Sequence, residues 1–167
     1  NYFYVIFWKM AKKVVLILII LSLSSLVNAE YLTGYAKVID GDTLVLSKKK
    51  IRLFGIDAPE IKQKCNKGFY QGESYLCGIY SKKRLINKLD NKKINCKIIT
   101  VDRYRRLIGI CYLKNEDINE WMVANGYAIA YRKFSKKYVL SENKAKEKFK
   151  GIWSGYFLDP EKWRKLR

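Results

Sequence analysis

The chain has 167 residues, of which 34 are Lys or Arg and 15 are Asp or Glu, giving a formal net charge of +19 at pH 7. This length suits one domain and hardly two, and the lack of His excludes sites that depend on imidazole. So positive a chain attracts polyanions such as nucleic acid, anionic lipid or acidic polysaccharide. Since the excess is mostly Lys, it is strong evidence for such a partner only where the lysines cluster.

The N-terminal segment has the pattern of a secretory signal peptide. A short basic stretch, 10–13, precedes an apolar run, 14–27, and small residues lead to a cleavage site after Ala29. The run is short for a membrane-spanning helix, which needs about 20 residues; an uncleaved anchor is the alternative. We expect residues 1–9 to be upstream translated sequence, 10–29 the signal peptide and 30–167 a single domain, exported to the periplasm or outside the cell.

The first part of this domain is predicted to be β-rich. Three strands, 31–39, 43–46 and 51–56, are separated by turns containing Asp, Gly and Lys. In the first turn, Asp40-Gly41-Asp42, the glycine is expected to let the chain reverse. Pro59 ends the third strand because it cannot donate to a β-ladder.

A helix and a hairpin are predicted next. A loop through Cys65 and Gly68 leads to a helix over 70–89 with a rough apolar face. The runs 94–101 and 107–113 then form a hairpin.

Two more helices follow in the prediction. Asp117 and Glu120 resemble a capping box for a helix over 118–125, which Gly126 would end. A short extended run, 127–131, precedes a basic helix over 141–150, and the aromatic C-terminal tail is expected to dock on the body. This order predicts a mainly β fold with helices (α+β), a five-stranded Greek-key barrel of the OB type with three helices.

Four cysteines, Cys65, Cys77, Cys96 and Cys111, suggest two disulfides in an exported chain. Three pairings are possible. A hairpin centred between positions 103 and 104 brings Cys96 opposite Cys111, which favours the pairs 65–77 and 96–111. Two buried free thiols at 96 and 111 are the alternative, and a zinc site is disfavoured because the chain has no His and no close Cys pair.

Acidic residues gather where the first and third strands end. Asp40 and Asp42 follow the first strand, and Asp57 and Glu60 follow the third. If these strands are neighbours, four carboxylates share one rim, which is unfavourable without a cation or protons. Carboxylate oxygens suit Ca²⁺. For Asp40-Gly41 alone a simple hairpin turn is the stronger interpretation, and Asp57 alone could be a strand-end cap.

The placement of two arginines fits the same chemistry. Arg52 lies on the third strand and Arg106 follows the hairpin tip. Guanidinium groups beside a cation suit a phosphodiester, whose transition state gathers negative charge on its oxygens. An ion pair with a neighbouring strand for Arg52, and a solvated position for Arg106, are the alternatives.

The stretches VIDGDTLVL, IRLFGIDAPE, DRYRR, NEWMVANGYAIAY and ENKAKEKFKGIW, in this order, resemble the staphylococcal nuclease (thermonuclease) family over about residues 35–153. The tail motif PEKWR is similar to that of exported bacterial members with paired cysteines. The resemblance implies an OB-fold barrel with three helices. It also implies a Ca²⁺-dependent nuclease that acts on DNA and RNA and cuts the P–O5′ bond, leaving 3′-phosphorylated products.

The resemblance also implies roles for particular residues. Asp42 and Asp57 would ligate Ca²⁺ through carboxylates and Ala58 through its backbone carbonyl, with Asp40 and Thr43 just behind. Glu60 would accept a proton from the attacking water or orient it. The substrate would be held by Arg52 and Arg106 at the scissile phosphate and by Tyr104 and Tyr131 at the nucleotide and terminal phosphate.

One position departs from the family pattern. Members commonly carry Gly where this chain has Arg105, between the hairpin Tyr and the catalytic Arg. Gly there supplies a positive φ that Arg adopts only with strain. Either the turn differs in type or the position takes a right-handed conformation. A weaker alternative is that Arg105 itself contacts the phosphate.

Two other function classes compete with the nuclease. The first is a catalytically silent OB-fold module that binds nucleic acid through Tyr and Lys, although binding alone gains nothing from an acidic cluster. The second, an envelope protein that binds anionic lipid or polymer, rests on charge alone. We expect a monomer without an obligate protein partner, associated with a membrane only if the signal segment is retained.

Overall fold

The computed structural model describes residues 8, 12–13, 30–68 and 72–166. Apart from Lys12 and Lys13, the expected signal peptide, 10–29, lies outside these residues, as does the expected upstream segment apart from Trp8. Both assignments stay predictions. No helix within the described ranges is long and apolar enough to cross a membrane.

The described strands are β1 (Tyr31–Val38), β2 (Thr43–Leu46), β3 (Lys49–Leu53), β4 (Ile56–Asp57), β5 (Lys64–Asn66), β6 (Ser74–Leu76), β7 (Lys93–Val101), β8 (Leu107–Leu113), β9 (Glu116–Asp117) and β10 (Ile129–Ala130). The helices are α1 (Cys77–Leu89), α2 (Ile118–Ala124), α3 (Val139–Glu147), a 3-10 helix (Gly151–Ser154) and α4 (Pro160–Lys165).

Five of the strands close into a barrel. β1 pairs antiparallel with β2 and β7, β2 pairs with β3, and β7 pairs with β8. The barrel closes where β3 lies parallel to β8, with Ile51 opposite Leu107. Its interior is filled by fully buried apolar side chains from the strands and from α1 and α2, among them Leu44, Leu85 and Met122. The predicted Greek-key barrel with helices is confirmed.

The third predicted strand, 51–56, is two strands. β3 ends at Leu53 because Gly55 adopts a left-handed φ of 73°, a conformation that glycine accepts without steric cost. The chain then pairs with a different neighbour, with Asp57 opposite Ile129 in β10. This change of partner turns Asp57 into the interior, where it is 0% exposed.

The helix predicted over 70–89 begins only at Cys77. Residues 69–71 lie outside the described ranges, and Ser74–Leu76 pairs antiparallel with Lys64–Asn66 instead of starting the helix. A disulfide from Cys65 to Cys77 fixes that pairing at the helix start. Tertiary pairing thus overrides the local helical pattern.

The C-terminal half follows the prediction more closely. The side chain of Asp117 caps α2 by accepting from Glu120 N at 3.0 Å, and Gly126 has the left-handed φ of 66° expected of a helix stop. The helix predicted over 141–150 is Val139–Glu147. The tail docks as expected, and it also forms α4, which the sequence analysis did not predict.

Both favoured disulfides are present, Cys65–Cys77 and Cys96–Cys111. Cys96 lies directly opposite Cys111 in the β7–β8 ladder, so the hairpin register accounts for that bond. Two disulfides indicate a protein that matures outside the reducing cytoplasm.

Candidate active site

Arg52 links two buried carboxylates at the end of the barrel. The β2–β3 register places Thr43 opposite Arg52, so the arginine lies beside the turn that carries Asp42. Its Nη1 donates to Asp42 Oδ1 at 2.6 Å and its Nη2 to Asp57 Oδ1 at 2.7 Å. Asp42 is 4% exposed and Asp57 0%, so the arginine neutralises charges that solvent cannot reach.

The other contacts of Asp42 orient its carboxylate. Its Oδ2 accepts from Ala58 N at 3.0 Å, and its Oδ1 accepts from the Thr43 hydroxyl at 3.0 Å. A Cβ added to Gly41 would lie 2.6 Å from the Ala58 Cβ. Gly41 is therefore required for the close approach of two loops rather than for chain reversal, since its φ is not positive.

Asp40 lies behind this pair. Its Oδ1 accepts from Asp42 N at 3.0 Å, which closes the turn that the sequence suggested. Burial, followed by the nearby charge of Asp42, raises the pKa of Asp40 to about 6. The site therefore holds more negative charge than its surroundings easily stabilise.

A second arginine, Arg164 of α4, enters the same acidic group. Its Nη1 and Nη2 contact both carboxylate oxygens of Asp57, at 3.0 and 2.9 Å, and its Nη1 donates to Glu60 Oε1 at 2.8 Å. Arg164 was not among the site residues predicted from the sequence. Arginine is scarce among the basic residues of this chain, and that scarcity is the one signal in the sequence that draws attention to Arg164.

Two arginines do not offset the effect of burial on Asp57. Burial raises the pKa of this carboxyl, and the charge of Asp42 adds to the rise. Hydrogen bonding from Arg164 and the charges of Arg164 and Arg52 oppose it, but the pKa stays above its ordinary value. A further positive charge close to Asp57 would thus be stabilised.

The β7–β8 hairpin brings Arg106 to the cleft. The side chain of Asp102 fixes the tip of the hairpin through three hydrogen bonds. Its Oδ1 accepts from Tyr104 N and Arg106 N, both at 2.9 Å, and its Oδ2 accepts from Arg106 Nε at 2.8 Å. Arg105 has a φ of 62°, so the right-handed alternative is wrong and the position keeps the left-handed turn. The Tyr104 ring is 65% exposed, with the Arg106 guanidinium 5.6 Å from its centroid.

A cleft of about 1140 Å³ gathers these groups. The predicted site residues that line it are Asp40, Asp42, Thr43, Arg52, Ala58, Glu60, Tyr104, Arg106 and Tyr131. Asp57 lies buried just beneath, bonded to the lining arginines. The cleft wall adds Lys50, Arg103, Lys133, Arg164 and Lys165, but not Arg105. Basic residues thus cluster around the acids, and this clustering supports a polyanion as the binding partner.

Tyr131 also lines the cleft and follows β10. Its ring packs edge-on against Phe134 with the centroids 4.8 Å apart. Burial raises its pKa, and the nearby charges of Asp57 and Glu161 raise it further, so the phenol stays protonated and can donate a hydrogen bond.

Comparison with known proteins agrees with this geometry. Residues 50–155 match the family model described as staphylococcal nuclease homologue. The chain belongs to the staphylococcal nuclease family. The predicted resemblance is confirmed, and the enzyme class is that of a nuclease, a hydrolase of phosphodiester bonds.

Similar family members come from bacteria and plants. The succinoglycan biosynthesis protein ExoI of Rhizobium meliloti is 34% identical over 128 residues, 75% of this chain and 66% of that protein. An endonuclease of Haemophilus influenzae is 31% identical over 158 residues, 90% of this chain and 82% of that protein. The staphylococcal-like nuclease CAN1 of Arabidopsis thaliana is 32% identical over 139 residues, 80% of this chain but only 39% of the plant protein.

The chemistry of the site suits the calcium ion that the family implies. Across the described ranges, no group of three or more Asp, Glu, Cys or His is arranged to hold a metal ion. The acids of this nuclease-family site nevertheless offer hard oxygens, and burial, together with the nearby charge of Asp42, raises the pKa of Asp57, so that a cation beside it would be stabilised. Both properties fit Ca²⁺.

Proposed function

We propose that residues 30–167 are an exported, calcium-dependent nuclease that hydrolyses both DNA and RNA and leaves 3′-phosphorylated products. The observation that carries the proposal is Arg52 held between two buried carboxylates, Asp42 and Asp57, at distances of 2.6 and 2.7 Å. This arrangement puts a phosphate-binding guanidinium and an excess of hard anionic ligands at one point in a cleft.

Calcium would be held by Asp42, Asp57 and the backbone carbonyl of Ala58. Asp40 and Thr43 would support these ligands from behind, as the bonds from Asp42 N to Asp40 and from Thr43 to Asp42 suggest. When bound, the ion would neutralise phosphate charge and stabilise the charge that develops in the transition state.

The protein groups would carry out the proton transfer and the positioning. Glu60, which is partly exposed to the cleft, would take a proton from the attacking water, because a carboxylate is the natural base in a site without His. As the water oxygen bonds to phosphorus, the P–O5′ bond breaks and O5′ takes up a proton from solvent, while Glu60 returns the proton of the attacking water to solvent. Arg52 and Arg106 would contact the phosphate oxygens.

The cleft walls suit a nucleic acid strand. Tyr104 presents an exposed ring on which a base can stack, and Tyr131 can offer its phenol to the same cleft. The basic residues around the rim add attraction for the backbone phosphates. Because neither a base-reading pocket nor a contact to the 2′-hydroxyl is needed for these interactions, both DNA and RNA fit.

The two disulfides support export, to the periplasm or outside the cell. We infer that the exported domain acts as a monomer, without an obligate protein partner. Association with a membrane would require the segment 10–29 to be retained.

The decisive experiment is a digestion of single-stranded DNA and RNA by residues 30–167, with Ca²⁺ and with a chelator, resolving the product ends. We expect cleavage only with Ca²⁺ and 3′-phosphate ends. Glu60→Gln and Arg52→Ala should each lower kcat by about 100-fold or more, since each removes a transition-state interaction. Full activity in both variants would refute the assignment. Metal-independent binding without cleavage would favour the silent OB-fold module instead.

A further inference from the structure

The guanidinium of Arg164 lies within the acidic group although it comes from the far end of the chain. It contacts both oxygens of Asp57 and, through Nη1, Glu60 Oε1 at 2.8 Å. A planar, two-pronged contact fixes orientation as well as charge, which a lysine ammonium cannot do. Arg164 thus joins the carboxylate of Glu60 to that of Asp57.

The tail that leads to α4 is anchored at the same place. The side chain of Gln63, which is 0% exposed, donates to Leu158 O at 2.6 Å and accepts from Glu60 N at 3.2 Å. One buried amide therefore ties both the tail and the backbone of Glu60. Asn66 N also donates to Tyr156 O at 2.8 Å, next to the strand that the Cys65 disulfide holds.

The helix itself begins at a fixed residue. Asp159 caps it by accepting from Glu161 N at 2.9 Å and Lys162 N at 3.3 Å, and Pro160 occupies the first turn, as is common in helices. Because the start of α4 is capped and the tail before it is held by hydrogen bonds, Arg164, in the following turn, lies at a defined point over the cleft. Its position is thus set by the fold, not by a free tail.

Docking of α4 does not by itself explain why this side chain turns inward. On the same helix, Glu161 pairs with Lys133 at 3.4 Å and with Lys165 at 3.2 Å, at the cleft wall. Arg164 instead reaches Asp57, which already has Arg52 as a partner. Partly desolvating a guanidinium for such a carboxylate gains little stability, whereas it holds Glu60 beside Asp57.

We propose that Arg164 is a positioning residue of the active site, which orients the Glu60 carboxylate toward the reaction centre. The inference rests on the proposed nuclease function and extends it to a residue outside the matched segment 50–155. It assigns the C-terminal helix a part in the reaction, because Arg164 of α4 makes the ion pair that holds the Glu60 carboxylate.

The test compares Arg164→Ala and Arg164→Lys with Lys162→Ala, a matched loss of one positive charge on the same helix but outside the acidic group. We expect Arg164→Ala to lower kcat by about 100-fold, the effect of a misplaced catalytic group, with little change in KM. Arg164→Lys should stay well below wild type because it keeps the charge but not the geometry. Lys162→Ala should behave as wild type.

A second measurement distinguishes a positioning role of Arg164 from a general loss of folded structure in the variant. Tb³⁺ titration, followed by its luminescence and by competition with Ca²⁺, measures cation affinity without any turnover. Since Arg164→Ala removes a positive charge beside Asp57, it should bind the cation at least about threefold more tightly. A loosened fold would lower the melting temperature and weaken cation binding. A lower kcat with tighter cation binding and an unchanged melting temperature would therefore indicate a positioning role.

Several outcomes would overturn the inference. These are a wild-type kcat in Arg164→Ala, full recovery in Arg164→Lys, an equal loss in Lys162→Ala, or a kcat loss matched by lower melting temperature and weaker Tb³⁺ binding. If Arg164→Ala does not fold, Arg164→Lys decides alone. Failure of the proposed function looks different, because then wild type does not cleave, or Glu60→Gln cleaves at the wild-type rate.

Discussion

Two buried carboxylates, Asp57 and Glu142, are each held by two basic side chains, yet their pKa values move in opposite directions. Glu142 is 1% exposed and receives hydrogen bonds from Arg132 Nη2, Lys146 Nζ and Ala130 N. Burial raises its pKa, but these three donors outweigh burial and leave the pKa below its ordinary value. At Asp57, burial and the neighbouring acid prevail over Arg52 and Arg164, and the pKa is raised.

The difference lies in the number of acids that share the cations. Glu142 is a single acid with two cations and a backbone donor, so its charge is stabilised outright. In the cleft, Asp42, Asp57 and Glu60 share two arginines. Asp40 lies beside Asp42, and burial, followed by the charge of Asp42, raises the pKa of Asp40 to about 6. The ion pairs of Glu142 increase the free energy of unfolding. The acids of the cleft decrease it, because their negative charges are close together and partly buried. Such raised pKa values are typical of functional sites.

The sharpest test of this contrast is Asp57→Asn. We expect cleavage to fall by about 100-fold or more, because a charged ligand and a partner of both arginines are lost. The free energy of unfolding should change little or rise, since Arg52 keeps Asp42 and Arg164 keeps Glu60. Urea denaturation alongside the nuclease assay measures both. A loss of about 3–5 kcal/mol, the cost of breaking a buried ion pair, would make Asp57 a structural acid like Glu142.

Glu142→Gln should show the reverse pattern. The amide keeps an oxygen that can accept from Ala130 N but gives up the charge that holds Arg132 and Lys146. Because both basic partners are more than 40% exposed and can be hydrated, we expect a loss of about 2 kcal/mol in the free energy of unfolding. The kcat of the folded enzyme should be close to wild type. A large fall in kcat at unchanged stability would contradict the comparison.

The pH dependence of stability gives a smaller but independent signature. The pKa of Glu142 is lower in the folded than in the unfolded chain, so its contribution is present above about pH 4.5, the ordinary value. That contribution is lost as the pH falls through the lowered pKa. The stability difference between wild type and Glu142→Gln should therefore be full near neutral pH and shrink in acid. If the difference in free energy of unfolding grew as the pH falls, the pKa of Glu142 would be raised in the folded chain, not lowered.

The sequence predicted the barrel and most of the cleft because their signals are local. Strand alternation, Asp-Gly turns and the hairpin register are readable over a few residues. The first and third strands, however, are not neighbours, because β2 lies between them. Asp42 and Asp57 meet instead through Arg52. The start of the helix at Cys77 was missed because it depends on pairing between Lys64–Asn66 and Ser74–Leu76. That pairing joins two separate segments, so it cannot be recognised from the helical pattern of residues 70–89.

The contact between Arg164 and Glu60 could not be predicted in the same way. The two residues are 104 positions apart, and α4 is only six residues long. A helix that short has no periodicity from which its buried face can be recognised. Where it points depends on how the tail packs against Gln63 and Asn66, which are tertiary contacts. The cap at Asp159 predicts the start of a helix but not its neighbours.

The smallest predicted effect concerns backbone strain on the cleft side. Arg105 holds a φ of 62° at the hairpin tip, where Gly would fit without steric cost. If the cleft gives up stability for function here too, Arg105→Gly should raise the free energy of unfolding by about 1 kcal/mol, measured by denaturation. Its kcat should stay at the wild-type level, because Asp102 still staples Arg106 to the turn. A marked fall in kcat would instead revive Arg105 as a phosphate contact and make the strain part of the mechanism.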